Sequence, residues 1–227
     1  MKRSKINSLL QSANEFIKSH GFHLPPFAYW TPEEWLKNGN DLNEIVKTRL
    51  GWDITDFGTE TFDQYGLILF TLRNGSPENI INRSGKIYAE KIMVVDDGQI
   101  TPMHFHWTKM EDIINRGGGT LAIQLFNATD EETLDKEHDV QVSINSIPQI
   151  IKPGEIVYLE PGESITLEPY CYHQFWGEGQ VLVGEVSLVN DDQSDNLFLN
   201  EYDRFPKIVE DEPPKYLLCS DYRNIID

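Results

Sequence analysis

His104 and His106 stand two apart in "TPMHFHWTKMEDIINRGGG", with Glu111 five residues further on and a glycine run closing the stretch. The chain holds only six histidines in 227 residues, so a pair this close asks for an explanation. On a β-strand, residues i and i+2 project from the same face, so the two imidazoles point together and Phe105 points away. Glu111 lies an odd number of steps beyond His106. It can face the pair only if the chain bends near residues 107–110, as chains often do beside active sites. A lone histidine is best read as an ordinary polar position. His-x-His with a spaced glutamate in a strand-rich chain is best read as the start of a metal site.

Such a site needs a third imidazole. His20 and His23, in "KSHGFHLP", flank a helix end where the dipole suits a cation, and His138 in "LDKEHDV" sits in a polar turn. His173, in "EPYCYHQFW", starts a later strand among aromatics and can meet the first pair across a barrel. The expected ligand set is therefore His104, His106, Glu111 and His173. Three imidazoles and a carboxylate suit a divalent transition ion, and the lack of a thiolate argues against structural zinc. Mn2+ or Fe2+ with open positions fits this donor set, with Co2+ and Zn2+ as further options.

The elements that must position these residues fall into two textures. Residues 4–19 carry apolar side chains at helical spacing with Gly21 as a stop, and "TPEEWLKNG" opens a second helix capped by Thr31 with Pro32 in its first turn. Residues 41–51 suit a third short helix. After Phe62, short runs rich in β-branched and aromatic residues alternate with turn residues, the pattern of an all-β sandwich or barrel. The expected layout is a helical N-terminal extension over residues 1–60, a β-barrel over 61–190 and a C-terminal arm over 191–227, together one structural domain. The 37 acidic residues against 19 basic ones oppose binding to nucleic acid or to anionic membranes. Two cysteines make no disulfide framework, no apolar signal segment follows the basic N-terminus, and apolar runs are too short for a membrane span. A reduced, cytoplasmic protein is expected.

The spacing G-x5-H-x-H-x4-E-x6-G is met without a gap by Gly98, His104, His106, Glu111 and Gly118, and it resembles the first cupin motif. The second motif is met loosely: Gly162 and His173 keep its overall separation, Pro169 is displaced by one, and Cys171 and Gly177 replace the usual glycine and asparagine. The longer stretches "GKIYAEKIMVVDDGQITPMHFHWTKMEDIINRGGG", "LPPFAYWTPEEW", "GEVSLVNDD" and "RFPKIVEDEPPKYLLCSDY" resemble the D-lyxose isomerase family of cupin-type sugar isomerases. The resemblance covers nearly the whole chain. It implies a mainly β cupin (double-stranded β-helix, or jelly-roll) barrel and a homodimer. It also implies a Mn2+-dependent aldose–ketose isomerase converting D-lyxose to D-xylulose, and D-mannose to D-fructose, through a cis-enediol.

Moving a proton between C1 and C2 requires a base and a group to stabilise oxygen charge. Lys109, two residues before Glu111, is expected to stabilise charge on O1 or to have its pKa lowered beside a cation. Glu185 interrupts the apolar run "VLVGEVSLV" and is the first choice of base; Glu201, in "NEYDRF", is the second. Arg204 can bind sugar hydroxyls from the arm, and Trp107 can stack on a sugar face. Two other readings use the same ligands. One is an Fe2+ cupin dioxygenase, which expects a mostly apolar pocket. The other is a sugar-binding cupin without turnover.

Overall fold

The computed structural model describes residues 1–38, 42–192 and 194–222 of the chain. Four α-helices precede or interrupt the sheet: α1 (Arg3–Ser19), α2 (Pro32–Asn38), α3 (Asn43–Lys47) and α4 (Pro77–Asn82). Helix α1 buries Ile6, Leu10, Ala13 and Ile17, which recur every three or four residues along one face. Helix α2 opens with a reciprocal cap: Thr31 Oγ1 accepts from Glu34 N at 3.3 Å, and the Glu34 carboxylate accepts from Thr31 N at 2.9 Å. Of the third helix expected over residues 41–51, α3 forms the middle, and Asp41 lies outside the described residues.

Twelve strands follow: β1 (Gly51–Thr55), β2 (Leu67–Arg73), β3 (Tyr88–Val95), β4 (Ile100–Phe105), β5 (Glu111–Ala128), β6 (Leu134–Asp135), β7 (Val140–Ile144), β8 (Ile147–Ile151), β9 (Ile156–Leu159), β10 (Ser164–Leu167), β11 (Cys171–Leu188) and β12 (Leu197–Phe198). All pairings between them are antiparallel. Strands β5 and β11 are 18 residues each and pair along nearly their whole length. Their register shifts between Glu178 and Val181 and between Leu182 and Val183, where bulges bend the pair. On one side of the bend lie β1, β2, β3, β10, β7 and β8; on the other lie β4, β9, β6 and β12. The two long strands thus serve both layers of a double-stranded β-helix, the expected fold. Gly118 sits at the bend with φ +95°, and a Cβ there would meet the Gln180 carbonyl oxygen at 2.2 Å.

The β1–β2–β3 sheet is covered on both faces, which explains its unbroken apolar runs. Leu67, Leu69, Met93 and Val95 face the barrel interior with Ile113, Leu121, Ile123, Val181 and Val183. The alternate residues Ile68, Phe70, Ile92 and Val94 pack outward with Trp52 and Ile54 against α1. The segment expected to be helical through residue 60 therefore already contributes a sheet strand, β1, because its side chains supply part of the floor under α1. The arm returns to the N-terminus: buried Arg3 pairs with Asp221 at 2.9 Å and Glu210 at 2.7 Å. Among the described residues no helix is long and apolar enough to cross a membrane.

Candidate metal centre and active site

Strand β4 ends at Phe105 and β5 begins at Glu111, so the chain turns between them as the odd spacing requires. His104 lies directly across from His173 in the β4–β11 ladder. Glu111 opens β5 beside Ser187 of β11. The three imidazoles are buried, and their ligating nitrogens lie within 4.8 Å of one another. Glu111 Oε1 stands 3.1 Å from His173 Nε2 and 3.6 Å from His106 Nε2.

Each ring is oriented by a backbone carbonyl, which can only accept. His104 Nδ1 donates to Pro102 O at 2.7 Å, His106 Nδ1 to Asp195 O at 2.6 Å and His173 Nδ1 to Cys171 O at 3.0 Å. The proton of each neutral ring is therefore on Nδ1, and each Nε2 carries a lone pair. Burial, reinforced by the neighbouring rings, holds His104 well below the ordinary imidazole range; burial and then Lys109 lower His106. Glu111 Oε1 is buried with no hydrogen-bond donor. A carboxylate oxygen facing imidazole lone pairs at these distances is satisfied by a cation, and this donor set fits a divalent metal.

Beside the ligands is a chain of alternating charges. Lys109 Nζ contacts Glu111 Oε2 at 2.6 Å and Glu185 Oε1 at 3.1 Å. Lys91, in register opposite Glu185 on β3, contacts the same carboxylate at 3.2 Å. Ser187 Oγ also donates to it, at 3.1 Å. Burial alone would lower Lys109, yet Glu111 and Glu185 outweigh it and hold the ammonium above its ordinary range. The two carboxylates thus favour the other role expected of Lys109, a fixed positive charge. Burial raises Glu185, but Lys109 and Lys91 prevail and keep it ionised.

The cavity over the ligands is lined by the polar residues Lys91, Lys109, Glu185, Asp192, Asn196 and Arg204 and by aromatic and aliphatic side chains such as Phe57, Leu69, Phe175 and Phe198. Arg204 reaches it from the arm, bound to Asp53 at 2.8 Å and Asp192 at 3.1 Å. Two expected residues are not brought in. Trp107 turns outward, donating to Glu132 at 2.7 Å and packing on Phe105, because it sits in the turn just past the strand. Glu201 is exposed, in a surface depression with Gly58, Tyr202 and Asp203. Lys91, Asp192 and Asn196 were not anticipated. Lys91 carried the same signal as Glu185, a charge inside the apolar run "AEKIMVV".

These features define a cupin-type barrel with a buried cluster able to hold a divalent metal. Solved structures agree on the fold: a mutant L-ribose isomerase of Acinetobacter sp. DL28, in complex with L-ribose, has a TM-score of 0.59 at 13% identity, covering 92% of this chain and 98% of that one. A ligand-free L-ribose isomerase of Cellulomonas parahominis has a TM-score of 0.58 at 14% identity, covering 88% and 93%. The chain belongs to the D-lyxose isomerase family, which it matches over residues 1–222. It is 50% identical to a D-lyxose/D-mannose isomerase of Escherichia coli O157:H7, over 98% of this chain and 99% of that protein. It is 49% identical to the D-lyxose/D-mannose isomerase of Serratia proteamaculans over the full length of both.

Proposed function

We propose that this protein is a metal-dependent aldose–ketose isomerase acting on D-lyxose, and on D-mannose as well, with Mn2+ held by His104, His106, Glu111 and His173. The observation that carries the reading is the convergence of three Nε2 lone pairs and an unsatisfied Glu111 oxygen beside a carboxylate clamped by two lysines. A divalent ion in that cluster supplies Lewis-acid stabilisation for negative charge developing on the sugar's O1 and O2.

The chain's own residues do the rest. Glu185 is anionic and buried, so it is in the accepting form needed to take the C2 proton of the open-chain aldose and return it at C1. Lys109 bridges Glu111 and Glu185, which places its ammonium beside both the ligand cluster and the base. From there it stabilises charge on O1. Lys91 holds Glu185 from the opposite side. Arg204 faces the remaining hydroxyls. Trp107 and Glu201 are given no part. The isomerase reading is favoured over the Fe2+ dioxygenase reading by the family the chain belongs to and by the carboxylate clamped between two lysines beside the ligand cluster. The non-catalytic reading leaves the clamped carboxylate without a purpose.

The two cysteines are buried and unpaired, as suits a reducing cytoplasm, and the assembly proposed is a homodimer, which sedimentation tests directly. The deciding experiment adds Mn2+ to chelator-stripped protein and follows D-lyxose and D-mannose by NMR in deuterated water. Formation of ketose with deuterium at C1 or C2 is expected. Sugar binding without either overturns the reading.

A further inference from the structure

Among the described residues, five buried side-chain polar atoms have no hydrogen-bond partner: Asn14 Oδ1, Thr101 Oγ1, Glu111 Oε1, Asn196 Oδ1 and Arg204 Nη1. Four of the five belong to residues lining the cavity over the ligand cluster. Folded proteins rarely leave buried polar atoms unpaired, because each costs the desolvation of a group that gains nothing in return. Their concentration in one cavity identifies a place built for polar ligand atoms. Glu111 is accounted for by the cation that the proposed function places against it. Thr101, Asn196 and Arg204 are not.

The backbone explains how these three come to face inward. The β4–β11 ladder pairs His104 with His173 and Thr101 with Phe175, so three steps on β4 match two on β11. The extra residue is a bulge at Pro102–Met103, where proline is tolerated because no ladder donor is needed. It reverses the face of everything before it, so Thr101 looks into the cavity with His104 although strand parity alone would turn it away. Asn196 immediately precedes β12, whose Leu197 and Phe198 pair with Phe105 and His104. One further step of that register sets Asn196 across from His106, on the same face as Phe198, whose ring lies 5.4 Å from that of His104. Arg204 spends Nη2 on Asp53 and Asp192 and leaves Nη1 for the cavity.

We propose that Thr101, Asn196 and Arg204 Nη1 form the subsite that reads the sugar's hydroxyls beyond C2 and so sets which aldose is accepted. This rests on the isomerase reading, which assigns O1 and O2 to the ligand cluster. A pentose then has three hydroxyls left, and the subsite offers two side-chain acceptors and a guanidinium donor. The threonine hydroxyl can also donate. The polyol's O–H groups satisfy all three, whereas a sugar lacking one of these hydroxyls leaves a buried group unpaired. Sites built to hydrogen-bond a hydroxyl reject analogues without it far more strongly than apolar pockets do.

The test uses Thr101→Val, which keeps the shape and removes the hydroxyl, and Asn196→Ala as an independent variant. Mn2+ affinity, read by calorimetry, is expected to stay at the parent value. Each variant should weaken binding of a linear pentitol and lower kcat/KM for D-lyxose, with most of the change in KM. The expected loss is roughly tenfold to a hundredfold, the range for one unpaired buried group. Across the 3-, 4- and 5-deoxy pentoses, each variant's loss should vanish for one of them, the sugar that lacks its partner hydroxyl. Parent values in both variants, or equal losses on every deoxy sugar, overturn the subsite. A metal-loaded parent that binds the pentitol with this variant pattern but makes no ketose keeps the subsite and defeats the isomerase reading. A parent that binds no pentitol overturns the subsite.

Discussion

At the scale of single residues, the site turns on how Glu111 and Glu185 share Lys109. Glu111 gives one oxygen to the imidazole cluster and the other to Lys109, while Glu185 takes the same ammonium and a second one from Lys91. The proposed function gives metal holding and proton transfer to these two carboxylates, which one lysine couples. Glu185→Gln keeps the shape and removes the base, so it should retain Mn2+ and lose about 10²- to 10⁴-fold in kcat. Lys109→Ala should also bind the ion yet turn over slowly, and a single-turnover deuterium-exchange assay would report the step lost. Parent kcat in Glu185→Gln would remove it as the base. A pH effect follows from the rings. His104 and His106 are held neutral in the fold, mainly by burial, while an unfolded imidazole takes up a proton near pH 6.5. Below that pH the unfolded chain binds more protons than the folded one, so metal-free stability falls as pH drops. Urea midpoints between pH 7 and pH 5 test this, and His104→Gln should flatten the slope.

At the scale of elements, the segment between β11 and β12 acts as a brace for the site. The carboxylate of Asp195 accepts from Thr108 N and from Thr108 Oγ1, both at 2.8 Å, and its backbone carbonyl orients the ring of His106. One buried residue thus fixes a ligand and the residue preceding Lys109. Asp195→Ala should weaken Mn2+ binding about 10- to 100-fold, the usual loss when a partner that orients a ligand is removed. Asp195→Asn, which can still accept from Thr108, should recover part of it. Titration of Mn2+ by electron paramagnetic resonance would separate the two. Much of the ligand set was legible because it is local: strand parity joins His104 to His106, and an odd step requires the turn before Glu111. The rest depends on pairings distant in the chain. Lys91 meets Glu185 only because β3 and β11 lie in that register, and Thr101 faces inward only because β4 bulges at proline. Trp107 was misread because a turn residue carries no parity, and β1 because its strand lies within a segment dominated by helix signals.

At the scale of the whole molecule, the cluster joins parts that folding must bring together. Its ligands come from β4 and β11 in one layer and from the first residue of β5, where that strand serves the other layer. No short stretch of unfolded chain presents all of them, so ion binding stabilises the folded barrel. At a hundredfold excess over the dissociation constant the gain is about 2.7 kcal/mol. For a domain of this size each kcal/mol moves the midpoint by about 2–4 °C, so Mn2+ should raise Tm by roughly 5–10 °C over chelator-treated protein. A formal charge of −18 offers a competing explanation, since any cation relieves repulsion among surface carboxylates. That effect is shared by Mg2+, is screened by added salt, and does not need the histidines. The two are separated by scanning the parent and His104→Ala in Mn2+, Mg2+ and NaCl. If the cluster holds the ion, the Mn2+ increment disappears in His104→Ala while the salt response is retained. An equal Mn2+ shift in both proteins would place the ion on the acidic surface and leave the imidazoles without their cation.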